Sequence, residues 1–143
     1  MAIDGGGGGG GLLGVTNSFT GTGTALELIG DHCMAYSGVV ASVAGSAPLD
    51  NPALSFTTGN YYTVAQIAWV ESSANADDKF ISMTMNGTIV YQGKWDPSTV
   101  LSDMNQDQPV QVIIPAYTEF LVGFDSNGGG NDCTILLTGR IYR

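Results

Sequence analysis

Short apolar runs separated by turn residues fill the chain from Met34 to its end, and within most runs apolar and polar positions alternate. The longest run, YYTVAQIAWVE (61–71), places five apolar or small residues on one face, namely Tyr61, Thr63, Ala65, Ile67 and Trp69. Alternation with a period of two is typical of a strand with one buried face. The other predicted strands are MAYSGVVASVA with a bulge at Gly38, ALSFTT, the two runs flanking Asn86, PVQVIIP, TEFLVGFDS and CTILLTGRIY. Seven or eight strands with no convincing helix predict an all-β sandwich or barrel.

The segment KFISMTMNGTIVYQGKW (79–95) is the clearest local prediction. Its Asn-Gly pair is the preferred dipeptide of a type I′ turn, and apolar-rich runs flank it. A two-residue hairpin loop then sets the register of the flanking strands. The predicted pairs are Met85 with Thr88, Met83 with Val90 and Ile81 with Gln92.

Residues 1–30 differ from the rest because they are small, polar and rich in glycine. We therefore divide the chain into a Gly-rich N-terminal arm, residues 1–30, and a β-sandwich domain, residues 31–143. Within the arm, apolar and polar residues alternate in TGTGTALEL (20–28), so a strand in this segment is an open alternative. When fully extended, the seven consecutive glycines Gly5–Gly11 of the arm span at most about 25 Å.

The glycine tract is interpreted as a thin strap between two hydrophobic anchors, with a plain flexible linker as the alternative. Without side chains it can pass where nothing larger fits. The predicted interface or anchor residues are Ile3, Gly5, Gly6, Gly7, Gly8, Gly9, Gly10, Gly11, Leu12 and Leu13.

Charge excludes several classes of partner. The net charge is −9, and the only Lys and Arg residues are Lys79, Lys94, Arg140 and Arg143. Four scattered cations form no basic patch, so we expect no nucleic-acid partner. Apolar stretches of about six residues fall far short of the roughly 20 that span a bilayer, so we expect no membrane partner. The first residues lack the basic and apolar regions of a secretory signal, which favours synthesis in the cytoplasm.

The low charged fraction adds a further expectation. Charged residues make up 12% of the chain, against roughly 25% in an average domain. Such a composition suits a β-protein whose surface is largely covered by neighbours, because burying charge at an interface is costly.

The two cysteines, Cys33 and Cys133, lie one near each end of the domain. A disulfide between them is one alternative, but cytoplasmic synthesis favours two buried free thiols on strands. The single histidine, His32, has no second histidine or CxxC motif near it, so the spacing of a zinc site is missing.

Two acidic clusters could bind a hard cation. The first contains Asp77 and Asp78, and the second contains Asp125, Asn127, Asn131 and Asp132. Calcium prefers six to eight oxygen ligands from flexible loops, which the second cluster could supply. Asp, Asn and Gly are also the commonest turn residues, and we favour that interpretation. We therefore expect no metal and no cofactor, with calcium as the alternative.

Sequence motifs for catalysis are missing as well. The chain has no GxSxG motif, and its glycine tract lacks the preceding strand and the Lys-Ser/Thr of a phosphate-binding loop. Oxygen chemistry of the cupin type would need several histidines, and the chain has one. We expect that the protein is not an enzyme.

The stretch VQVIIPAYTEFLVGFDS (110–126) followed by CTILLTGRIYR (133–143) resembles small single jelly-roll proteins of tailed phages and marine viruses. The features that carry the resemblance are a strand ending in IIP, a short aromatic bend, a TEF-V strand, a Gly/Asn turn and a closing LTGRIY strand. Many such proteins are capsid-associated: decoration or cement proteins, minor capsid proteins, or heads of short capsid fibres. The resemblance covers about residues 34–143 and implies a single jelly roll.

This resemblance implies a structural role in the virion, after synthesis in the host cytoplasm. The implied partners are further copies of the chain, with a trimer expected, and the major capsid protein or other virion proteins. The N-terminal arm would reach neighbouring subunits, as extended arms do when they add backbone hydrogen bonds.

A glycan-binding module is the alternative function. Exposed aromatic side chains stack on sugars, so a jelly-roll head could bind host glycans. The candidate aromatic residues are Tyr61, Tyr62, Trp69, Tyr91, Trp95 and Tyr117, together with the Asp/Asn loop. Most of these lie at strand periodicity, which also fits a core position.

Overall fold

The computed structural model describes residues 16–19, 24–42, 52–71, 78–95, 109–128 and 131–143, which form ten β-strands and no helix. The strands are β1 (Thr16–Phe19), β2 (Thr24–Ile29), β3 (His32–Ala41), β4 (Pro52–Thr57), β5 (Tyr62–Glu71), β6 (Lys79–Met85), β7 (Thr88–Trp95), β8 (Val110–Ile114), β9 (Glu119–Ser126) and β10 (Asp132–Tyr142). The all-β prediction is confirmed. In these ranges no helix is long and apolar enough to span a membrane.

The strands form two five-stranded antiparallel sheets. The first sheet has the order β1-β4-β9-β6-β7, and the second has the order β2-β3-β10-β5-β8. From β3 to β10, consecutive strands lie in opposite sheets, except for the β6–β7 hairpin. Eight strands alternating in this way between two sheets form a jelly roll. The predicted jelly-roll sandwich is confirmed.

Strands β1 and β2 lie within the region that the sequence analysis assigned to the arm. β1 pairs with β4 at the edge of the first sheet, and β2 pairs with β3 at the edge of the second. Gly30, at φ +60°, allows the tight β2–β3 turn. The sandwich therefore has more strands than the expected seven or eight and begins before residue 31. The predicted anchors Ile3, Gly5–Gly11, Leu12 and Leu13 lie outside the described residues.

The core contains the inward faces that alternation predicted. The inward side chains of β5 (Ala65, Ile67 and Trp69) are at most 5% exposed, and the preceding Tyr61 is 2% exposed. In the first sheet, Phe56 of β4 and Phe120 of β9 pack with ring centroids 5.5 Å apart. Buried residues of both sheets belong to one hydrophobic cluster, so a single core joins the two layers.

The predicted bulge at Gly38 is present. Thr134 pairs with Val39 and Leu136 pairs with Tyr36, so the register of β3 against β10 shifts between them. Gly38 has φ +67°, which glycine adopts without steric cost. The Ser37 hydroxyl accepts a hydrogen bond from the Ile135 amide at 2.9 Å, which satisfies a backbone group at the bulge.

The hairpin turn is confirmed, but part of its predicted register is wrong. Asn86 and Gly87 have φ values of 49° and 78°, as a type I′ turn requires. Met85 pairs with Thr88, but an irregularity next to Met83 shifts the remaining pairs. The observed pairs there are Met83 with Tyr91 and Ile81 with Gly93, in place of Val90 and Gln92. Val90 is consequently 47% exposed, whereas the half-buried Tyr91 packs against the core.

Candidate functional site

The acidic residues proposed as calcium ligands have separate contacts. Asp125 is buried in β9 of the first sheet, whereas Asp132 begins β10 of the second sheet. The Asn127 amide nitrogen donates to the Asp78 carboxylate at 3.2 Å, and the Asn131 side chain donates to the Ser126 hydroxyl. Among the described residues no group of three or more His, Cys, Asp or Glu side chains could hold a metal. Two of the four predicted ligands therefore lie in strands, and only Asn127 and Asn131 lie in the β9–β10 connection.

The other acidic cluster is described only at Asp78, since Asp77 lies outside the described residues. The Asp78 carboxylate forms an ion pair with Lys94, at 2.8 Å from its Nζ. Backbone groups reinforce this junction, because the Asn127 amide donates to the Asp78 carbonyl at 3.0 Å. Asp78 therefore joins the start of β6 to the β9–β10 turn and to β7.

The two cysteines are free and buried. On the β3–β10 ladder Cys33 pairs with Gly139 and Cys133 pairs with Val40, so the thiols lie near opposite ends. Six residues of strand separate the positions by about 20 Å, whereas a disulfide needs Cα atoms within about 7 Å. The structure thus contains the free thiols that the sequence favoured, and the alternative disulfide is wrong.

His32 and Cys33 lie on opposite faces of β3, because successive side chains of a strand alternate. His32 is exposed, and Cys33 is 4% exposed. Burial raises the pKa of the Cys33 thiol from 9.0 to about 11. Although His32 and Cys33 are adjacent in sequence, they therefore do not combine into a metal site or a nucleophile site.

Exposed apolar side chains concentrate on the outer face of the second sheet, which we define as the outward positions of β2, β3, β5, β8 and β10. In the part of the chain that the structure describes, twelve large hydrophobic residues are exposed, and nine belong to this sheet. The nine are Ile29, Met34, Val39, Tyr62, Val64, Val70, Ile113, Leu136 and Tyr142. Four of them, Ile29, Val39, Val70 and Ile113, are more than 60% exposed. This concentration is unusual, because exposed apolar residues on monomers are commonly scattered.

The first sheet has a more polar outer face. Its outward positions include Ser82 and Thr84 of β6, which are both buried, with the exposed Gln92 and Lys94 of β7 beside them. The Gln92 amide donates to the Ser82 hydroxyl at 3.4 Å. Lys94 lies over the ring of Phe80, 5.6 Å from its centroid. The contrast makes the second sheet the apolar side of the sandwich.

Two regions can be distinguished along the outer face. One, the apolar region, consists of two rows of cross-strand neighbours. The first row is Tyr36, Leu136 and Ala68, and the second is Val39, Thr134 and Val70. The other is an open groove of about 650 Å³ at the opposite end of the same strands. The exposed residues that line the groove are His32, Val64, Gln66, Gln111, Thr138, Arg140 and Tyr142.

The aromatic residues proposed for glycan stacking divide into two groups. Tyr61 and Trp69 are core residues, and Tyr91 is half-buried against the core. Tyr62 and Tyr117 are 55% and 68% exposed; the side chain of Trp95 lies outside the description. Sequence reasoning missed Tyr142, which is 53% exposed and pairs across the sheet with Tyr62. The sequence does carry a signal for this exposure, because Tyr142 follows the apolar Ile141 on a strand and so belongs to the opposite face.

Comparison with protein-family models, with curated protein sequences and with solved structures finds no match to this chain.

Proposed function

We propose that this protein is a structural component of a virion, a capsid decoration, cement or minor capsid protein, that self-associates through the apolar region of its second sheet. The observation that carries the proposal is the concentration of exposed apolar side chains on that face, of which Val39, Val70 and Leu136 lie in the apolar region. Removing such surface from water is favourable by about 25 cal/mol per Å². A role in assembly gives these side chains a partner.

The size of the face limits the interface that it can form. The three central strands have 10, 11 and 10 residues, and the edge strands have 6 and 5. At about 3.3 Å per residue and about 4.8 Å between strands, the sheet covers roughly 600–700 Å² in projection. A stable complex buries about 800 Å² on each partner, so the whole face approaches that size and the apolar region alone gives a smaller interface.

Charge favours a second copy of the chain as the occupant. The protein carries a net charge of −9, so copies repel each other wherever their acidic surfaces meet. Of the outward side chains described on the second sheet, only Arg140 and Asp132 carry a formal charge. Two copies that meet through the apolar region therefore bring few like charges together. A closed trimer is the expected form.

The virion assignment is supported by topology and by pattern. Double-sheet jelly rolls occur in viral capsid proteins and in lectins. The strand and bend pattern of residues 110–143 adds the likeness to capsid-associated proteins. In this proposal the Gly-rich segment attaches the oligomer to the major capsid protein, and the sandwich has no enzymatic role.

Co-sedimentation with shells tests this assignment. Virus particles containing this chain are stripped of it, and full-length protein or a variant lacking residues 1–13 is added back. We expect the full chain to bind the shells and the truncated variant to remain in solution, because the strap and its anchors are lost. Matching thermal unfolding curves of both proteins provide the control for folding.

Two results would contradict the proposal. Binding of the truncated variant at full strength would overturn the anchoring role of the arm. Failure of the full chain to associate with any virion component would overturn the virion assignment itself.

A further inference from the structure

We propose that the groove beside Arg140 binds an acidic saccharide, a sugar ring that carries a carboxylate. This inference goes beyond the assembly role, since packing through the apolar region does not require a ligand in the groove. It draws on three properties of the groove: its positive charge, its neutral polar side chains and its exposed tyrosines.

Positive charge is concentrated at this end of an otherwise acidic protein. Of the four Lys and Arg residues, Lys79 is fully buried and Lys94 is paired with Asp78. Arg140 and Arg143 are exposed and lie at the groove end of β10. His32 is the direct cross-strand neighbour of Arg140. A guanidinium can hold a carboxylate through two parallel hydrogen bonds, which makes Arg140 the charge-recognising group.

Neutral polar side chains form the next row of the groove. Thr138, Gln66 and Gln111 are successive cross-strand neighbours, and all three are exposed. Each carboxamide offers two donors and an acceptor, and the hydroxyl offers one donor with two acceptor sites. Such a row matches the alternating donors and acceptors of sugar hydroxyl groups.

Two tyrosines add apolar surface beside the charged row. Tyr142 lines the groove, and Tyr62 is its cross-strand partner on β5. Side chains directly opposite each other on a sheet have Cβ atoms about 5 Å apart, so the two exposed tyrosines occupy neighbouring positions on the outer face. A flat ring with a hydroxyl at its edge can cover the apolar face of a sugar and bond to its rim.

A third tyrosine is presented at the same end of the sandwich. Tyr117 has φ 54° and is 68% exposed. Its amide donates to the Gly59 carbonyl at 3.0 Å, and the adjacent Thr118 amide donates to the Thr58 hydroxyl at 2.9 Å. A non-glycine residue held in this region costs free energy and is often found at a functional site. Tyr117 therefore extends the aromatic surface towards the end of the molecule.

The competing ligand is an acidic peptide. A peptide carboxylate would also bind Arg140, but it would not require a row of amides and a hydroxyl beside a pair of exposed rings. The exposed Asp31, which precedes His32 at the β2–β3 turn, would repel either anion.

Isothermal titration calorimetry of the full chain tests the proposal. The probes are tetragalacturonic acid, its methyl ester, sialyllactose and a tetra-aspartate peptide. The test variant is Arg140→Gln, and the matched control is Lys94→Gln, which removes a cation from the other sheet. We expect an acidic saccharide to bind, with affinity reduced about tenfold or more by esterification or by Arg140→Gln, because hydrogen bonds to charged groups are the stronger ones.

The control variant should bind as the unmodified protein does. No heat from either acidic saccharide, equal affinity of Arg140→Gln and Lys94→Gln, or binding of the tetra-aspartate peptide alone would each overturn the proposal. Sedimentation of the same samples separates the two proposals: a monomer that binds saccharide through Arg140 supports the groove while contradicting self-association.

Discussion

At the scale of single residues, position on a strand decides what each side chain can do. His32 and Cys33 are adjacent in sequence, yet one faces solvent and the other faces the core. Burial holds the pKa of the Cys33 thiol at about 11. The thiol is therefore protonated at neutral pH, and its role is packing, since the thiolate is the reactive form.

The raised pKa predicts how stability depends on pH. In the unfolded chain Cys33 loses its proton near pH 9.0, whereas in the folded protein it keeps the proton to about pH 11. The folded state binds more protons in this window, so its stabilising contribution is full below pH 9 and decreases as the pH rises to about 11. Urea unfolding of the wild type and of Cys33→Ala measures the difference in unfolding free energy.

Below pH 8 that difference should be constant, which serves as the internal control for the packing loss caused by the substitution. Between pH 9 and pH 11 the wild type should lose stability relative to the variant. Parallel stability curves across the whole range would contradict a buried, protonated thiol.

At the scale of elements, the contact between β10 and β5 requires glycine at position 139. A Cβ there would lie 2.4 Å from the Val64 carbonyl oxygen and 2.8 Å from the Ala65 Cα. Both atoms belong to the backbone of β5, so they cannot move without distorting the sheet. Gly139 therefore permits the close approach of the two strands below the groove.

Substitution of this glycine should destabilise the fold. We expect Gly139→Ala to lower the unfolding free energy by about 1–3 kcal/mol, the usual effect of overpacking. The matched control is Gly93→Ala, whose Cβ would approach the Tyr91 hydroxyl and Ile81 Cγ2 at 3.1 and 3.3 Å. These are side-chain atoms that can shift, so its effect should be smaller. Equal losses in chemical denaturation would contradict the steric argument.

The elements also show what alternation alone can predict. The inward faces of β5, β9 and β10 follow directly from the sequence because a period of two fixes them. The irregularity beside Met83 does not follow, since nothing in TIVYQ specifies where an extra residue enters the ladder. β1 was not predicted, and β2 was left open as a strand within the arm, because their pairing with β4 and β3 depends on the fold as a whole.

At the scale of the whole molecule, the sandwich has one polar and one apolar outer face. Sequence reasoning did not locate the apolar face, because it is assembled from five strands that are distant along the chain. Leu136, for example, lies between the core residues Ile135 and Leu137 on β10. Only the strand register shows that Tyr36 and Ala68 flank it on the outer face. The groove depends on register in the same way.

The whole-molecule account predicts that association depends on this face. Val70, in the apolar region, and Val90, on the other sheet, are 67% and 47% exposed. Val70→Asp places a carboxylate where copies are proposed to meet, whereas Val90→Asp places the same group on the other side of the sandwich. Burying an unpaired carboxylate is costly, so only Val70→Asp should weaken association, by about tenfold or more.

Sedimentation equilibrium of the wild type, Val70→Asp and Val90→Asp over a range of concentrations is the most direct test of self-association through the second sheet. The account predicts a wild-type oligomer, expected to be a trimer, that Val90→Asp preserves and Val70→Asp dissociates. A wild type that remains monomeric at every concentration, or variants that weaken association equally, would contradict it.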